Sequence, residues 1–331
     1  MAAFARSPAP APDISVVIPV YNEEAVLPLL VDRMRAVLDG TGETWEVIFI
    51  NDGSRDRTLH GLRAVTSTDR RFRHLSLSRN FGHQIAVSAG LDVAFGATVV
   101  IIDADLQDPP ELIPAMIEQL RTGGLDVVYA QRRQRSGESV AKRLTAKWFY
   151  RVLGALTSVD IPVDTGDFRV VTQRVVDVLR RMPERHKFLR GQVAWIGFRQ
   201  AAFMYDRQSR VAGETGYTWK KMFRLATDAL TAFSNVPLKM ASVLGFFVSG
   251  VALLLMLYTL YARFVTRDYQ PGWASIMMTV LFLGGVQLIT VGIIGEYLAR
   301  LNDNVRGRPL YILAEDSATQ RGAGPSAPPT T

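Results

Sequence analysis

The chain has 331 residues, 48% hydrophobic and 21% charged, which is enough for one large domain with a substantial core plus an appendage. It has no cysteine, which excludes disulfides, zinc–thiolate sites and thiol nucleophiles, and its four histidines form no HExxH or related cluster. The formal net charge is +7, but the basic residues gather around hydrophobic segments, so no nucleic-acid partner is expected.

Residues 1–12 lack the apolar stretch of a signal peptide and read as disordered. From residue 13, short β-rich runs alternate with helical patterns. The runs are "ISVVIPV", "WEVIFIN", "FRHLSLS", "ATVVIID" and "LDVVYAQ", and the helices are expected to start near Glu23, Asp56, His83 and Pro110. That order predicts an α/β domain over 13–215, a mainly parallel sheet flanked by helices on both faces. Ligands of such sheets sit beyond the carboxyl ends of the strands. The polar residues collect there: "YNEE", "NDGSRD", "RNFGHQ" and "DADLQDPPE" follow the first four strands and are expected to share one cleft.

No GxGxxG follows the first strand and no GxxxxGK[ST] occurs, so a nucleotide would need other contacts. Asn22, Glu23 and Asp52 are candidates to accept from a base or ribose; the plainer readings are a helix cap at Asn22 and a turn at "NDGS". Asp103 and Asp105 are two apart on an extended chain, so their carboxylates point to one side. Like charges that close need a cation between them, and oxygen ligands favour Mg2+ or Mn2+, with positions left for water and substrate phosphates. Pro109 and Pro110 end the strand and open the next helix, and Asp108 beside them is expected to support the turn.

Met240 to Ala262 and Tyr269 to Gly295 are uncharged, and each is long enough to cross a hydrocarbon core of about 30 Å. A transmembrane hairpin is expected over 239–298. Before it, residues 216–238 interleave Trp219, Met222, Phe223 and Leu225 with Lys220, Lys221 and Arg224, the pattern of interfacial amphipathic helices on membrane lipid. The connection of the hairpin carries Arg263 and Arg267, whereas its flanks carry Lys220, Lys221, Arg224, Lys239, Arg300, Arg306 and Arg308. The positive-inside bias then predicts a multi-pass protein of the inner, cytoplasmic membrane with the catalytic domain and both termini in the cytoplasm. Residues 299–316 read as a cytoplasmic return segment and 317–331 as a disordered tail. Gly245 with Ser249 forms a small-xxx-small pair, which leaves a homo-oligomer open.

"VVIPVYNEE", "NDGSRDRT", "RNFGHQIAVSAG", "DADLQDPPE", "DTGDFRVV" and the terminal "GEYLARLNDNVRGRPLY" occur in one order over residues 13–314. In this the chain resembles the membrane-anchored family 2 glycosyltransferases that charge polyprenyl phosphates, the bactoprenol glucosyltransferase and dolichol-phosphate mannose synthase type. The resemblance implies a GT-A fold and an inverting transfer of a hexose, with UDP-glucose the leading donor, to undecaprenyl or another polyprenyl phosphate. It implies that Pro19, Tyr21, Glu23, Asp52 and Asp103 surround the nucleotide, that Asp103 and Asp105 hold Mg2+ or Mn2+, and that Asp105 and Asp167 are catalytic. Asp164 is the competing aspartate in the same motif.

Arg185 and Arg190 of "ERHKFLRG", with Arg207 and Arg210, could hold the acceptor phosphate bidentately or rest on lipid headgroups. The chain departs from the family at Gly216, where relatives carry a lysine; Lys220 and Lys221 stand close by in sequence. Two other functions fit the motifs less well. A processive polysaccharide synthase usually carries QxxRW, and "GQVAWIG" is not that; a catalytically silent sugar-nucleotide sensor would not need both Asp103 and Asp105.

Overall fold

The computed structural model describes residues 11–132, 165–185, 187–205, 236–261 and 272–322. The chain divides into two compact units, one formed by 1–147, 160–216 and 308–331, the other by 148–159 and 217–307.

The first unit is built on an eight-stranded sheet: β1 (Ile14–Val20), β2 (Trp45–Asn51), β3 (Phe72–Leu77), β4 (Thr98–Ile101), β5 (Val127–Arg132), β6 (Thr165–Thr172), β7 (Gln200–Tyr205) and β8 (Leu313–Asp316). Their order is β7-β5-β6-β4-β1-β2-β3-β8. β4, β1, β2 and β3 run parallel, as do β5 and β7, while β6 and β8 pair antiparallel with their neighbours. The first five strands fall where the β-rich runs predict them.

Side chains of β1 alternate between two cores, as period-2 geometry requires. Ile14, Val16, Ile18 and Val20 pack in one core with α1 (Leu27–Asp39), α2 (Thr58–Thr68) and α4 (Ile113–Thr122). Val17 packs in the other, with α3 (His83–Val93), α5 (Gln173–Arg181) and α6 (Leu189–Trp195). Each helix earns its place by its apolar spacing: α1 buries Leu27, Leu30, Val31, Met34 and Leu38, the i, i+3, i+4 pattern of one face. At about 1.5–3 kcal/mol per fully buried aliphatic side chain, such faces dominate the energetics of docking a helix on the sheet. α1 starts at Leu27 rather than near Glu23, because Asn22 takes a left-handed φ of 57° and Pro28 sits where a first-turn residue needs no N–H partner.

Three strands, β6, β7 and β8, lie outside the β-rich runs. β6 inserts between β4 and β5, and its residues 168 and 170 face the first core while 171 faces the second. Asp167 and Arg169 therefore lie on the face that carries α3 and α6. β8 lies in the expected return segment, so the sheet is not complete within 13–215: its last strand comes from after residue 308. The expected disordered tail begins instead with a short helix, α9 (Ser317–Gly322), because the Ser317 hydroxyl accepts the His74 N–H at 2.9 Å and is buried against β3.

The second unit contains α7 (Val236–Tyr261) and α8 (Trp273–Val305), which pack against each other. Large apolar side chains, among them Phe246, Phe247, Leu288 and Ile289, are exposed on them. Among the described residues one stretch, Phe282–Val305 of α8, meets the length and apolarity needed to cross a membrane. Of the expected interfacial segment only 236–238 falls within the described residues.

Candidate active site

A cleft of ≈ 300 Å³ opens at the carboxyl ends of β1 to β4, lined by Pro19, Tyr21 and Glu23, by Asp52, by Asn80, Gly82 and His83, and by Asp103, Ala104 and Asp105. The structure thus brings all four polar strand ends together, and with them Pro19, Tyr21, Glu23, Asp52 and Asp103, the residues that the resemblance implies for the nucleotide.

Asp52 holds one wall of the cleft. Its Oδ1 accepts the Phe81 N–H at 2.7 Å and its Oδ2 the Gly82 N–H at 2.9 Å, which fixes the loop before α3. Burial pushes its carboxyl up, and these two amides pull it back. Gly53 beside it has φ +67°, and a Cβ there would lie 2.5 Å from the Arg79 carbonyl carbon, so the "NDGS" turn tolerates only glycine. Asn22 neither caps a helix nor lines the cleft: its Oδ1 accepts the Arg55 N–H at 2.8 Å and ties the loops after β1 and β2 together.

Asp103 and Asp105 both line the cleft. Asp105 Oδ1 accepts the Gln107 N–H at 3.1 Å. Asp103 Oδ1 is buried with no hydrogen-bond partner, 3.5 Å from His83 Nε2. Burial pushes the Asp103 carboxyl up to about 6; Asp167, Asp108 and Asp105 add to this and His83 opposes it. An orphaned buried acceptor among carboxylates fits a hard divalent cation, which would satisfy the oxygen and offset the crowding of negative charge. Ligand atoms of His83, Asp103 and Asp167 also lie within 4.8 Å of one another. His83 and Asp167 are bonded to each other, and Asp167 also to Gln84 and Arg190, whereas Asp103 Oδ1 has no hydrogen-bond partner, so a cation fits the Asp103 side of the cluster.

Asp167 stands behind His83, on β6, nearly buried at 6% exposure. His83 Nε2 donates to its Oδ2 at 2.9 Å, Gln84 Nε2 donates to the same oxygen at 3.0 Å, and Arg190 Nε donates to Oδ1 at 2.8 Å. Arg169, two residues along β6, places its guanidinium 3.8 Å from Oδ1. Burial would raise the Asp167 carboxyl, but the Arg190 charge, the His83 hydrogen bond and the Arg169 charge outweigh it and hold the group well below the usual carboxylate range. For His83 burial works against charge, yet the Asp167 hydrogen bond and the Asp103 and Asp167 charges hold the imidazole above its ordinary value. Burial pulls the Arg169 guanidinium down to about 10.

Of the four arginines proposed for the acceptor phosphate, Arg190 reaches the site and Arg185 does not: its guanidinium donates to the backbone carbonyls of Arg308 and Pro309. Arg207, Arg210 and the competing Asp164 lie outside the described residues. Asp108 is buried and accepts the Tyr205 hydroxyl, a structural contact between β7 and the loop after β4. The sequence reading missed His83, Gln84 and Arg169 as site residues. A signal existed: "RNFGHQ" had been placed at a strand end, and Arg169 shares a strand face with Asp167 at i+2.

Sheet, cleft and charge cluster together define an α/β protein with an acidic cleft at the carboxyl ends of its parallel strands. Residues 15–180 match glycosyl transferase family 2, and residues 236–301 match the GtrB C-terminal hairpin. The glycosyltransferase YkcC of Bacillus subtilis, described as uncharacterized, is 48% identical over 299 residues, 90% of this chain and 92% of its own. The SfII prophage-derived bactoprenol glucosyl transferase of Shigella flexneri is 38% identical over 300 residues, 91% of this chain and 97% of its own. The bactoprenol glucosyl transferase of Shigella phage SfV is 38% identical over 303 residues, 92% and 98%. The chain belongs to glycosyl transferase family 2 and is a glycosyltransferase with a GT-A-like α/β fold.

Proposed function

We propose that the chain transfers glucose from UDP-glucose to a polyprenyl phosphate, with inversion, at the cytoplasmic face of the membrane. The observation that carries the reading is Asp167, caged by Arg190, His83 and Gln84 directly behind a cleft that ends in Asp103 and Asp105. The relatives named bactoprenol glucosyl transferase, aligned along nine-tenths of the chain, support the acceptor class.

An acceptor phosphate oxygen attacks the anomeric carbon as the bond to the donor's diphosphate oxygen breaks, its electron pair leaving with UDP. Asp103 and Asp105 would hold Mg2+ or Mn2+, which would supply Lewis-acid neutralisation of the departing diphosphate. Pro19, Tyr21, Glu23 and Asp52 hold the nucleotide side of the cleft. A lipid monophosphate with a second pKa of about 6 is largely dianionic at neutral pH, so its attack needs no strong base. The three donors on Asp167 fit this: the carboxylate stays charged, orients Arg190 and His83, and offsets positive charge developing at the anomeric carbon.

The exposed apolar side chains of α7 and α8 and the match of residues 236–301 to the GtrB C-terminal hairpin support a membrane hairpin that anchors the enzyme where its acceptor is confined. Incubating the purified protein with radiolabelled UDP- and GDP-sugars and undecaprenyl phosphate, then extracting with organic solvent, tests the function. Label from UDP-glucose in the organic phase is expected. Label confined to insoluble polymer would replace the reading with a processive synthase, and no label from any sugar would remove it.

A further inference from the structure

The segment after α8 in sequence makes three contacts on the catalytic unit. Arg185 donates to the carbonyl oxygens of Arg308 and, at 3.3 Å, Pro309. The Tyr311 hydroxyl donates to Asp92 Oδ2 at 2.9 Å, near the end of α3. Ser78 N–H donates to the Ile312 carbonyl at 2.9 Å, and β8 then pairs with β3.

The first contact leads to the site. Arg185 belongs to the loop between α5 and α6, which Lys187 Nζ ties back to the Met182 carbonyl at 2.8 Å. α6 opens at Leu189, whose N–H donates to Gln84 Oε1 at 3.0 Å, while the amide nitrogen of the same Gln84 donates to Asp167. The next residue, Arg190, donates to the other oxygen of Asp167. The carbonyls at 308 and 309 therefore hold Arg185, a few residues before Leu189 and Arg190, whose hydrogen bonds close the Asp167 cage.

We propose that residues 308–311 are a working part of the active site: they anchor Arg185, which fixes the loop that presents Arg190 to Asp167. Arg185 is then a positioning residue for glycosyl transfer and not a ligand of the acceptor phosphate. The planar guanidinium, with five donors, suits a clamp on two successive carbonyls; one lysine ammonium satisfies the same geometry less well. The proposal rests on Asp167 and Arg190 being part of the transfer machinery.

The test uses the full chain in detergent or nanodiscs, as wild type, Arg185→Ala, Arg185→Lys, Arg190→Ala and Arg185→Ala/Arg190→Ala. Hydrogen–deuterium exchange without substrate is read first: Arg185→Ala should speed exchange over 187–195 while β1 to β4 stay protected. Unchanged exchange over 187–195 overturns the proposal. Transfer kinetics should then show kcat lowered about tenfold to a hundredfold in Arg185→Ala, the scale of a misplaced reacting group, with partial recovery in Arg185→Lys. In the Arg190→Ala background the same change should lower kcat little further. An equal loss in both backgrounds, or a rise in acceptor KM alone, overturns it in favour of direct phosphate binding. If wild type gives no transfer to polyprenyl phosphate, the functional reading fails separately and the exchange comparison alone decides.

Discussion

Arg190 Nε donates to Asp167 Oδ1 at 2.8 Å, joining the first turn of α6 to β6 across the second core. The bond makes the two side chains one unit, so removing either should damage the same step. Asp167→Asn and Arg190→Ala are each expected to lower kcat about a hundredfold or more, as loss of a charged group from the transfer step does, while UDP affinity stays within error. Raising the lipid phosphate concentration should not restore the rate of Asp167→Asn. If saturating lipid does restore it, Asp167 acts only in acceptor binding.

His83 touches both halves of the site, 2.9 Å from Asp167 and 3.5 Å from Asp103. His83→Ala leaves Asp167 with two side-chain donors and removes the ring nitrogen that lies 3.5 Å from Asp103. The expected outcome is a kcat lower by about tenfold to a hundredfold, the range for a group that orients a site, together with a higher Mn2+ requirement. His83→Gln, which keeps an N–H donor at similar reach, should recover part of the rate. Equal activity of His83→Ala and wild type across a Mn2+ titration would remove His83 from the site.

The first four strand ends were legible because each is a short apolar run that stops at a polar cluster, a signal contained in a dozen neighbouring residues. β6, β7 and β8 were not, for a physical reason: their partners are far away in sequence. "TGDFRVVT" becomes a strand only because it slots between β4 and β5, and its Asp167 and Arg169 are buried only because Arg190, His83 and Gln84 arrive from other elements. Arg185 shows the same limit from the other side. An arginine in a basic loop suggests phosphate, and nothing local reveals that the carbonyls of residues 308 and 309 take up its donors.

Asp105 and Asp108 belong to one acidic stretch but to different parts of the molecule. Asp105 lines the cleft, whereas Asp108 is buried on the Tyr205 hydroxyl. Asp105→Ala should abolish turnover and Mn2+-enhanced UDP binding in isothermal titration with little change in melting temperature. Asp108→Ala strands a buried hydroxyl at a cost of about 1–3 kcal/mol, so it should lower the melting temperature and leave metal-enhanced binding in the folded fraction. The reverse pattern would exchange the two assignments.

Gly53 is where backbone geometry supports the cleft wall. Alanine there meets both a left-handed φ and the backbone of Arg79 and Asn80 at 2.5 and 2.6 Å. The conformational strain alone is about 1–3 kcal/mol, and the contact pushes away the loop that Asp52 clamps. Gly53→Ala should therefore reduce both thermal stability and UDP affinity, more than Gly42→Ala, where φ is +71° and the Cβ meets open space. Equal effects at the two glycines would show that φ, and not the close approach, matters.

The edge strand β8 is held by charge, and its hold should depend on pH. Glu315 receives Arg63 at 2.5 Å and lies 3.0 Å from His74 Nε2, which is buried with Nδ1 3.0 Å from Thr66 Oγ1. Hydrogen bonding from Arg63 brings the Glu315 carboxyl down to about 2, against the opposing effect of burial and with help from His74. A carboxyl lowered on folding adds stability above its unfolded value of 4.5 and loses it as pH falls toward about 2. Arg63 is more than half exposed, so solvent screening keeps the contribution modest. The melting temperature of Glu315→Gln should accordingly lie below that of wild type at pH 7, and the gap should narrow steadily between pH 4.5 and pH 2.5. Circular dichroism melts at fixed ionic strength measure it. A gap that stays constant over that interval would mean that the Glu315 charge does not hold β8 in place, and that the strand is kept there by its backbone pairing with β3 and the Arg73–Asp316 ion pair.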